Sequence, residues 1–165
     1  MITVRLFSLI AICGLLSGLP QPSIAQGAQL AFGIGRADKD TPVEVTAENL
    51  SVNQTDGTAV FTGDVRIGQG EMRLSAPRVL VVYFQDRSGI QRLEATGGVT
   101  LVNGEDAAEA RTADYNIETG MIEMSGDVLL VQGPNTLTAD RMSVDTQAGT
   151  ARMSGRVKTV LQPEN

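Results

Sequence analysis

The stretch that decides the fold is ADRMSVDTQAGTARMSG, residues 139–155, in which an alanine is followed ten residues later by a glycine and six residues after that by a second glycine. The same spacing recurs at Ala47–Gly57–Gly63 and Ala110–Gly120–Gly126, and a longer version runs over Ala76–Gly89–Gly97. A period of this length is typical of stacked supersecondary units, each of which needs its neighbours to bury its apolar face. We therefore expect one repetitive domain whose functional surface is built by all four copies.

Apolar and polar residues alternate with period two from Pro42 onward, and helical spacing is absent. Side chains two residues apart share one face of a strand, so each copy presents an apolar face and a polar face. The apolar columns of the four copies define a predicted inner face: Leu50, Val52, Ala59, Phe61, Val65, Ile67, Leu74, Val79, Val81, Leu93, Val99, Leu101, Tyr115, Ile122, Met124, Val128, Leu130, Met142, Val144 and Met153.

Glycines mark the turns and bends of the predicted strands. Gly57, Gly120 and Gly149 are typical of turns between strands, whereas Gly63 and Gly126 separate two alternating runs, where a bulge or tight bend is expected. With strands of about five residues, each copy would hold three or four of them. The sequence predicts an all-β fold, a jellyroll made of one rolled antiparallel sheet with about 14–16 short strands.

The N-terminal residues 1–25 have the features of a secretory signal. Arg5 is their only charged residue, the run Leu6 to Leu16 is apolar, and Ser23-Ile24-Ala25 has the small-residue pattern of a cleavage site. An uncleaved membrane anchor is the alternative, although the run is shorter than the roughly 20 residues that a spanning helix needs. We expect export, a flexible segment over 26–40, and a β-jellyroll domain over 41–163.

Composition excludes several classes of function. The chain has no histidine, and its single cysteine, Cys13, lies in the predicted signal, which excludes histidine-based triads, thiol nucleophiles and thiolate or imidazole metal sites. Its 19 acidic residues outnumber 13 basic ones without a basic cluster, so we expect no nucleic-acid partner. We predict no catalytic residues, no metal and no cofactor.

The apolar inner face has two interpretations. It is either an ordinary β-sandwich core or a groove shared with an aliphatic ligand. Aromatic residues make up only 4% of the chain, and small aliphatic side chains with flexible methionines suit a groove for acyl chains. Because each buried methylene contributes about 0.8 kcal/mol, a lipid with several acyl chains needs cover in an aqueous compartment.

Several stretches resemble one known family. They are Thr41-Pro42-Val43-Glu44-Val45, Val60-Phe61-Thr62-Gly63-Asp64-Val65, Ser125-Gly126-Asp127-Val128 and Arg156-Val157-Lys158-Thr159-Val160-Leu161-Gln162-Pro163. With them, the region 41–163 is similar to the OstA-like (LptA-type) family of periplasmic lipopolysaccharide-bridge proteins. Each bend motif is weak alone, but their spacing in phase makes the resemblance specific.

The resemblance implies a jellyroll that is open at both ends and binds lipopolysaccharide acyl chains in a hydrophobic groove lined by the inner face. It also implies periplasmic localisation and head-to-tail assembly of copies, with LptC and the N-terminal jellyroll of LptD as further partners. The last strand of one copy would pair with the first strand of the next. The edge residues expected at these interfaces are Val43, Val45, Val157, Thr159 and Leu161.

Alternatives remain for the edges and for the protein class. The edges are either interfaces or covered by the chain's own tails. The chain is also compatible with an LptC-like anchored jellyroll, a bactofilin-like filament or a carboxylate-dependent glycan hydrolase.

Two polar sets also carry more than one interpretation. Five basic residues either contact lipid phosphates or form a solvated polar face: Arg66, Arg73, Arg78, Arg111 and Lys158. The acidic group Glu105, Asp106 and Glu109 resembles a carboxylate pair or metal site, but its position beside Asn103-Gly104 favours a loop.

Overall fold

The computed structural model describes residues 29–32 and 41–162, and the predicted signal lies outside these ranges. The described residues form eleven β-strands in one sheet. They are β1 Gln29–Ala31, β2 Glu44–Thr46, β3 Asn49–Asn53, β4 Thr58–Gln69, β5 Met72–Tyr83, β6 Ile90–Asn103, β7 Asp106–Asn116, β8 Met121–Gln132, β9 Asn135–Asp145, β10 Thr150–Ser154 and β11 Lys158–Val160. Within the described ranges there is no helix long and apolar enough to cross a bilayer.

Every pairing in the sheet is antiparallel, and β4 to β9 lie in sequence order as a meander. At one edge, β2 and β3 pair with successive halves of β4. At the other edge, β11 and β10 pair with successive halves of β9. Each edge is therefore one long strand that is interrupted in the middle. We call them the N-terminal edge (β2 and β3) and the C-terminal edge (β10 and β11).

A line of bulges crosses the sheet at the glycines that end each repeat. The register shifts between Thr62 and Val65 in β4, and equivalent shifts occur in the pairs formed by β6 and β8. The bulges predicted at Gly63 and Gly126 are confirmed. The predicted strand number is wrong: strands of 11 to 14 residues run through the bulges, so each accounts for two of the expected short strands.

Gly126 explains why the bulge needs glycine. Its φ of +86° is rarely adopted by residues with a side chain, and an added Cβ would lie 3.0 Å from Cβ of Arg111 on the neighbouring strand. The next residue, Asp127, also has a positive φ of 50°, which aspartate tolerates better than most residues. The two residues together bend the strand and increase its twist.

The bulge line folds the sheet onto itself. Alternate residues of β4 to β10 are buried, although the described residues contain neither a second sheet nor a helix that could cover that face. The sheet must therefore cover its own inner face, with the strand halves on either side of the bulges forming two facing layers. The all-β jellyroll class is confirmed.

The expectation of a flexible segment over 26–40 is wrong for Gln29–Phe32. Gln29–Ala31 pairs with Thr150–Arg152 as strand β1, and Phe32 is buried in the core. The Leu30–Phe32 alternation is too short to be distinguished from a loop in the sequence. Burial of the Phe32 side chain stabilises the position of this segment. The domain therefore begins before Thr41.

Candidate functional site

The inner face predicted from the sequence is a real structural face. Seventeen of its twenty residues are buried, Phe61 is half-buried, and Leu50 and Val52 are exposed. The buried residues belong to one continuous hydrophobic cluster, so the expected trough is filled along its length by its own side chains. Contact of these side chains with a lipid stays a prediction.

Alanine and methionine make up nearly half of this interior. Of the 27 buried apolar residues in the described ranges, eight are alanine, four are methionine and only Phe32 and Tyr115 are aromatic. The alanines Ala76, Ala110 and Ala139 lie beside the bulge line, where the two layers converge. Such a core has little interlocking bulk, and methionine repacks easily.

Opposite the bulge line, the two layers meet along a seam formed by the hairpin ends of the strands. Tyr115, near the end of β7, donates a 2.6 Å hydrogen bond to Gln69 Oε1 at the end of β4. Gln69 Nε2 in turn donates to the Thr41 carbonyl at 3.1 Å. Burial raises the pKa of the Tyr115 hydroxyl, so this group stays protonated and remains a donor. We call this pair the seam latch.

A second contact closes the seam further along. Gln132, at the end of β8, donates to the Ala31 carbonyl at 2.7 Å and to Asp106 at 3.0 Å. Sequence reasoning did not identify Gln69 or Gln132 as functional residues. For Gln69 a signal existed, because it continues the inner column of Val65 and Ile67.

The N-terminal edge leaves apolar surface open. Leu50 and Val52 pair with Phe61 and Ala59, which places their side chains on the inner face. They are nevertheless 57% and 58% exposed. The predicted interface residues Val43 and Val45 are half-buried and pack against the core. An open cleft of about 270 Å³ adjoins this edge, lined by Val52, Asn53, Gln54, Gly57, Thr58, Tyr83 and Arg87.

The C-terminal edge is also apolar and exposed. Val157, Val160 and Leu161 are 42%, 47% and 71% exposed, and exposed Thr159 lies opposite buried Leu137. Strand β1 covers β10 on this edge, whereas β11 pairs, among the described strands, with β9 alone. The alternative in which the chain's own tail covers an edge is therefore correct for three residues of the C-terminal edge, Thr150–Arg152.

Most of the basic residues considered for lipid phosphates have partners within the chain. Arg66 pairs with Asp64 at 2.7 Å, and Arg111 pairs with Asp127 at 3.0 Å through Nε. Arg73 donates to the Met72 carbonyl at 2.7 Å. Arg78 and Lys158 are exposed on strands β5 and β11. The pairs at Asp64 and Asp127 lie at the bulges and favour the solvated-face interpretation.

The acidic group spans a turn and a strand. The loop expectation is wrong for Asp106 and Glu109, which belong to β7, while Glu105 lies in the two-residue turn before it. Among the described residues, no group of three or more potential ligands could hold a metal ion.

On the outer face, burial raises the pKa of Asp114, with Arg92 opposing this shift and Glu94 and Glu123 adding to it.

Comparisons with known proteins agree with this architecture. The profile of the family described as LptA/(LptD N-terminal domain) LPS transport protein matches residues 44–150, more than half of the 165-residue chain. An uncharacterized protein of Rhizobium meliloti (strain 1021) is 25% identical over 121 residues, covering 68% of this chain. The match spans 65% of that relative's length.

A solved structure has the same fold. The crystal structure of LptH, the LptA-homologous periplasmic component of the lipopolysaccharide transport device of Pseudomonas aeruginosa, matches with a TM-score of 0.68 at 19% identity. The match covers 77% of this chain and 99% of that one. The family match includes every strand from β2 to β9, and with it both layers and the bulge line. The chain belongs to the LptA/LptD N-terminal domain family of lipopolysaccharide transport proteins.

Proposed function

We propose that this protein binds the acyl chains of lipopolysaccharide between its two layers and passes them along a head-to-tail row of subunits to the outer membrane. The observation that carries the proposal is the continuous apolar inner face. It extends from Phe61, which lies opposite exposed Leu50 at one edge, to Leu137, which lies opposite exposed Thr159 at the other edge. In a monomer, large apolar side chains left exposed at both ends of a core indicate surfaces that need a partner or ligand.

Lipid entry requires the two layers to separate, and the seam is where separation costs least. The strands of each layer are joined by backbone ladders, whereas the layers are joined at the seam by few side-chain hydrogen bonds, including the Tyr115–Gln69 latch. An acyl chain of twelve carbons gains about 10 kcal/mol on leaving water, at roughly 0.8 kcal/mol per methylene. That gain exceeds the roughly 1 kcal/mol that a typical hydrogen bond contributes.

The two edges are complementary in length, which supports head-to-tail pairing. The N-terminal edge consists of three residues (β2), a gap of two and five residues (β3), while the C-terminal edge has five residues (β10), a gap of three and three residues (β11). Antiparallel pairing places β3 on β10 and β2 on β11. A gap of two residues facing a gap of three already occurs within the chain. There, the residues 139–140 of β9 lie against 155–157, between β10 and β11.

The edges are also complementary in charge. The N-terminal edge carries Glu44 and Glu48 as its charged residues, and the C-terminal edge carries Arg152 and Lys158 together with Arg156, which is paired with Asp140 of β9. All five are exposed. Opposite charges on two surfaces favour their encounter and fix their register.

The compartment and the neighbours follow from the same proposal. The predicted signal over 1–25 directs the chain to the periplasm, where acyl chains need cover. The jellyrolls of LptC and of the LptD N-terminal region are the proposed neighbours at the two ends of the row. The protein does no chemistry in this role.

Binding measurements with two matched variants test the proposal. Phe61 lies on the inner face, and adjacent Val60 lies on the outer face with similar half-burial. We expect lipopolysaccharide to bind the native protein, its deacylated saccharide not to bind, and Phe61→Asp to bind at least tenfold more weakly than Val60→Asp. Equal loss in both variants, or equal binding of the deacylated saccharide, would refute the acyl-chain site.

A further inference from the structure

The position of β1 conflicts with head-to-tail pairing. Gln29–Ala31 pairs with Thr150–Arg152, the part of β10 that an incoming β3 would need. The Phe32 amide adds a hydrogen bond to the Gly149 carbonyl at 3.1 Å, and the Phe32 side chain is 1% exposed. The chain's own N-terminal segment therefore occupies the site of its neighbour.

β1 has the orientation that the incoming strand would have. β1 runs antiparallel to β10, as β3 of a second copy would. Within the chain, the two residues 139–140 of β9 lie against the three residues 155–157 between β10 and β11. If the two residues between β2 and β3 of a second copy lie against 155–157 in the same way, Val52 of that copy faces Ala151 and its Leu50 faces Met153. Ala151 is the residue that Leu30 of β1 now faces.

β1 pairs with fewer residues of the C-terminal edge than the N-terminal edge of a second copy would. It pairs with three residues of β10 and leaves Met153, Ser154 and all of β11 without a partner on that side within the described residues. The N-terminal edge of a second copy offers eight strand residues, five in β3 and three in β2. It also offers Leu50 and Val52, which are exposed in the single chain.

We propose that β1 is a placeholder strand, which occupies the C-terminal edge of a free subunit and is displaced by β3 of a second copy during assembly. The inference rests on the proposed head-to-tail assembly and adds its regulation. While β1 is seated, it shields three residues of an edge that would otherwise pair with any extended strand. The longer and more complementary edge of the correct partner displaces it, so pairing is restricted to subunits with a matching edge.

A reversible lock tests the exchange. Leu30 and Ala151 are paired residues on adjacent antiparallel strands, a separation that a disulfide can bridge. The lock is Leu30→Cys with Ala151→Cys, made in a Cys13→Ser background. The control is Ala95→Cys with Ala113→Cys, which joins β6 to β7 in the middle of the sheet. Sedimentation velocity over a concentration series, with and without reductant, measures assembly of each protein.

We expect the oxidised lock to stay monomeric at concentrations where the control assembles, and reductant to restore its assembly. A release variant, Phe32→Ser, removes the buried anchor of β1 and should reach half-assembly at a concentration at least tenfold lower than the native chain. The variant Leu50→Asp with Val52→Asp should stay monomeric whether or not β1 is released.

The outcomes separate this inference from the proposed function. If the oxidised lock assembles like the control, the placeholder is wrong, while head-to-tail assembly stands. If the native chain, the reduced lock and the release variant all stay monomeric at every concentration, head-to-tail assembly itself is wrong, and the placeholder with it.

Discussion

Tyr115 and Gln69, which are 46 residues apart in the sequence, join the two layers of the sheet through a buried 2.6 Å hydrogen bond. The bond lies opposite the bulge line, on the side where the layers are not connected by continuous strands. It is therefore positioned to resist separation of the layers. Opening of the interior to a lipid must break it or bypass it.

Replacing Tyr115 by phenylalanine is expected to lower the free energy of unfolding by about 1–2 kcal/mol, because Gln69 Oε1 loses its buried donor. Since the layers then separate more easily, lipopolysaccharide should associate up to about tenfold faster. Urea unfolding and stopped-flow binding measure the two effects. The control is Tyr115→Phe combined with Gln69→Met, which removes both partners of this hydrogen bond and should be less destabilised than the sum of the single variants. Strict additivity would show that the two residues are not coupled.

Replacing Gly126 by alanine is expected to destabilise the fold by about 2–4 kcal/mol, since the new Cβ would need a positive φ and would meet Arg111. The matched control is Gly133→Ala, which also has a positive φ but no atom within 4 Å of the added Cβ. Its cost should be about 1 kcal/mol. Thermal unfolding of both variants measures the difference, and equal costs would show that the contact with Arg111 is unimportant.

Asp114 should make stability depend on pH in a defined direction. Its pKa is raised in the folded state by burial, so folding favours its protonated form. The resulting stabilisation is complete below the ordinary pKa of 3.8 and is lost as the pH rises through the folded-state pKa. At pH 7, Asp114→Asn is therefore expected to be stabilising, within roughly 0.5 kcal/mol because the site is partly exposed.

The gain from Asp114→Asn should disappear near pH 3, where the aspartate is itself neutral. Asp127→Asn is the control, because Asp127 is exposed and pairs with Arg111, so this change should give no stabilisation at pH 7. Chemical denaturation at both pH values checks the pair. Destabilisation by Asp114→Asn at pH 7 would mean that its ion pair with Arg92 outweighs burial.

The alternation of apolar residues predicted the inner face well, because burial in a strand follows side-chain direction and needs no knowledge of partners. Leu50 and Val52 have the predicted direction but are exposed, because they lie on an edge strand that no other described residue covers. The strand number was overestimated because a glycine bulge and a strand end have the same local sequence signature. Gly126 bends β8 without ending it.

Two features depend on contacts that local sequence patterns do not encode. The seam latch joins distant hairpin ends, and the polar Gln69 was not read as an inner residue despite its register with Ile67. Strand β1 has too few residues for a periodic signal, and its assignment depends on a partner strand at the other end of the chain. Both are tertiary effects that override local composition.

Site-specific photocrosslinking in living cells tests the central claim most directly. A benzophenone amino acid is placed at Phe61, on the inner face, or at adjacent Val60, on the outer face, and adducts are detected with an antibody against lipopolysaccharide. The account predicts an adduct from position 61 and none from position 60. Adducts of equal yield at both positions, or no adduct from position 61 in a folded and expressed protein, would contradict it.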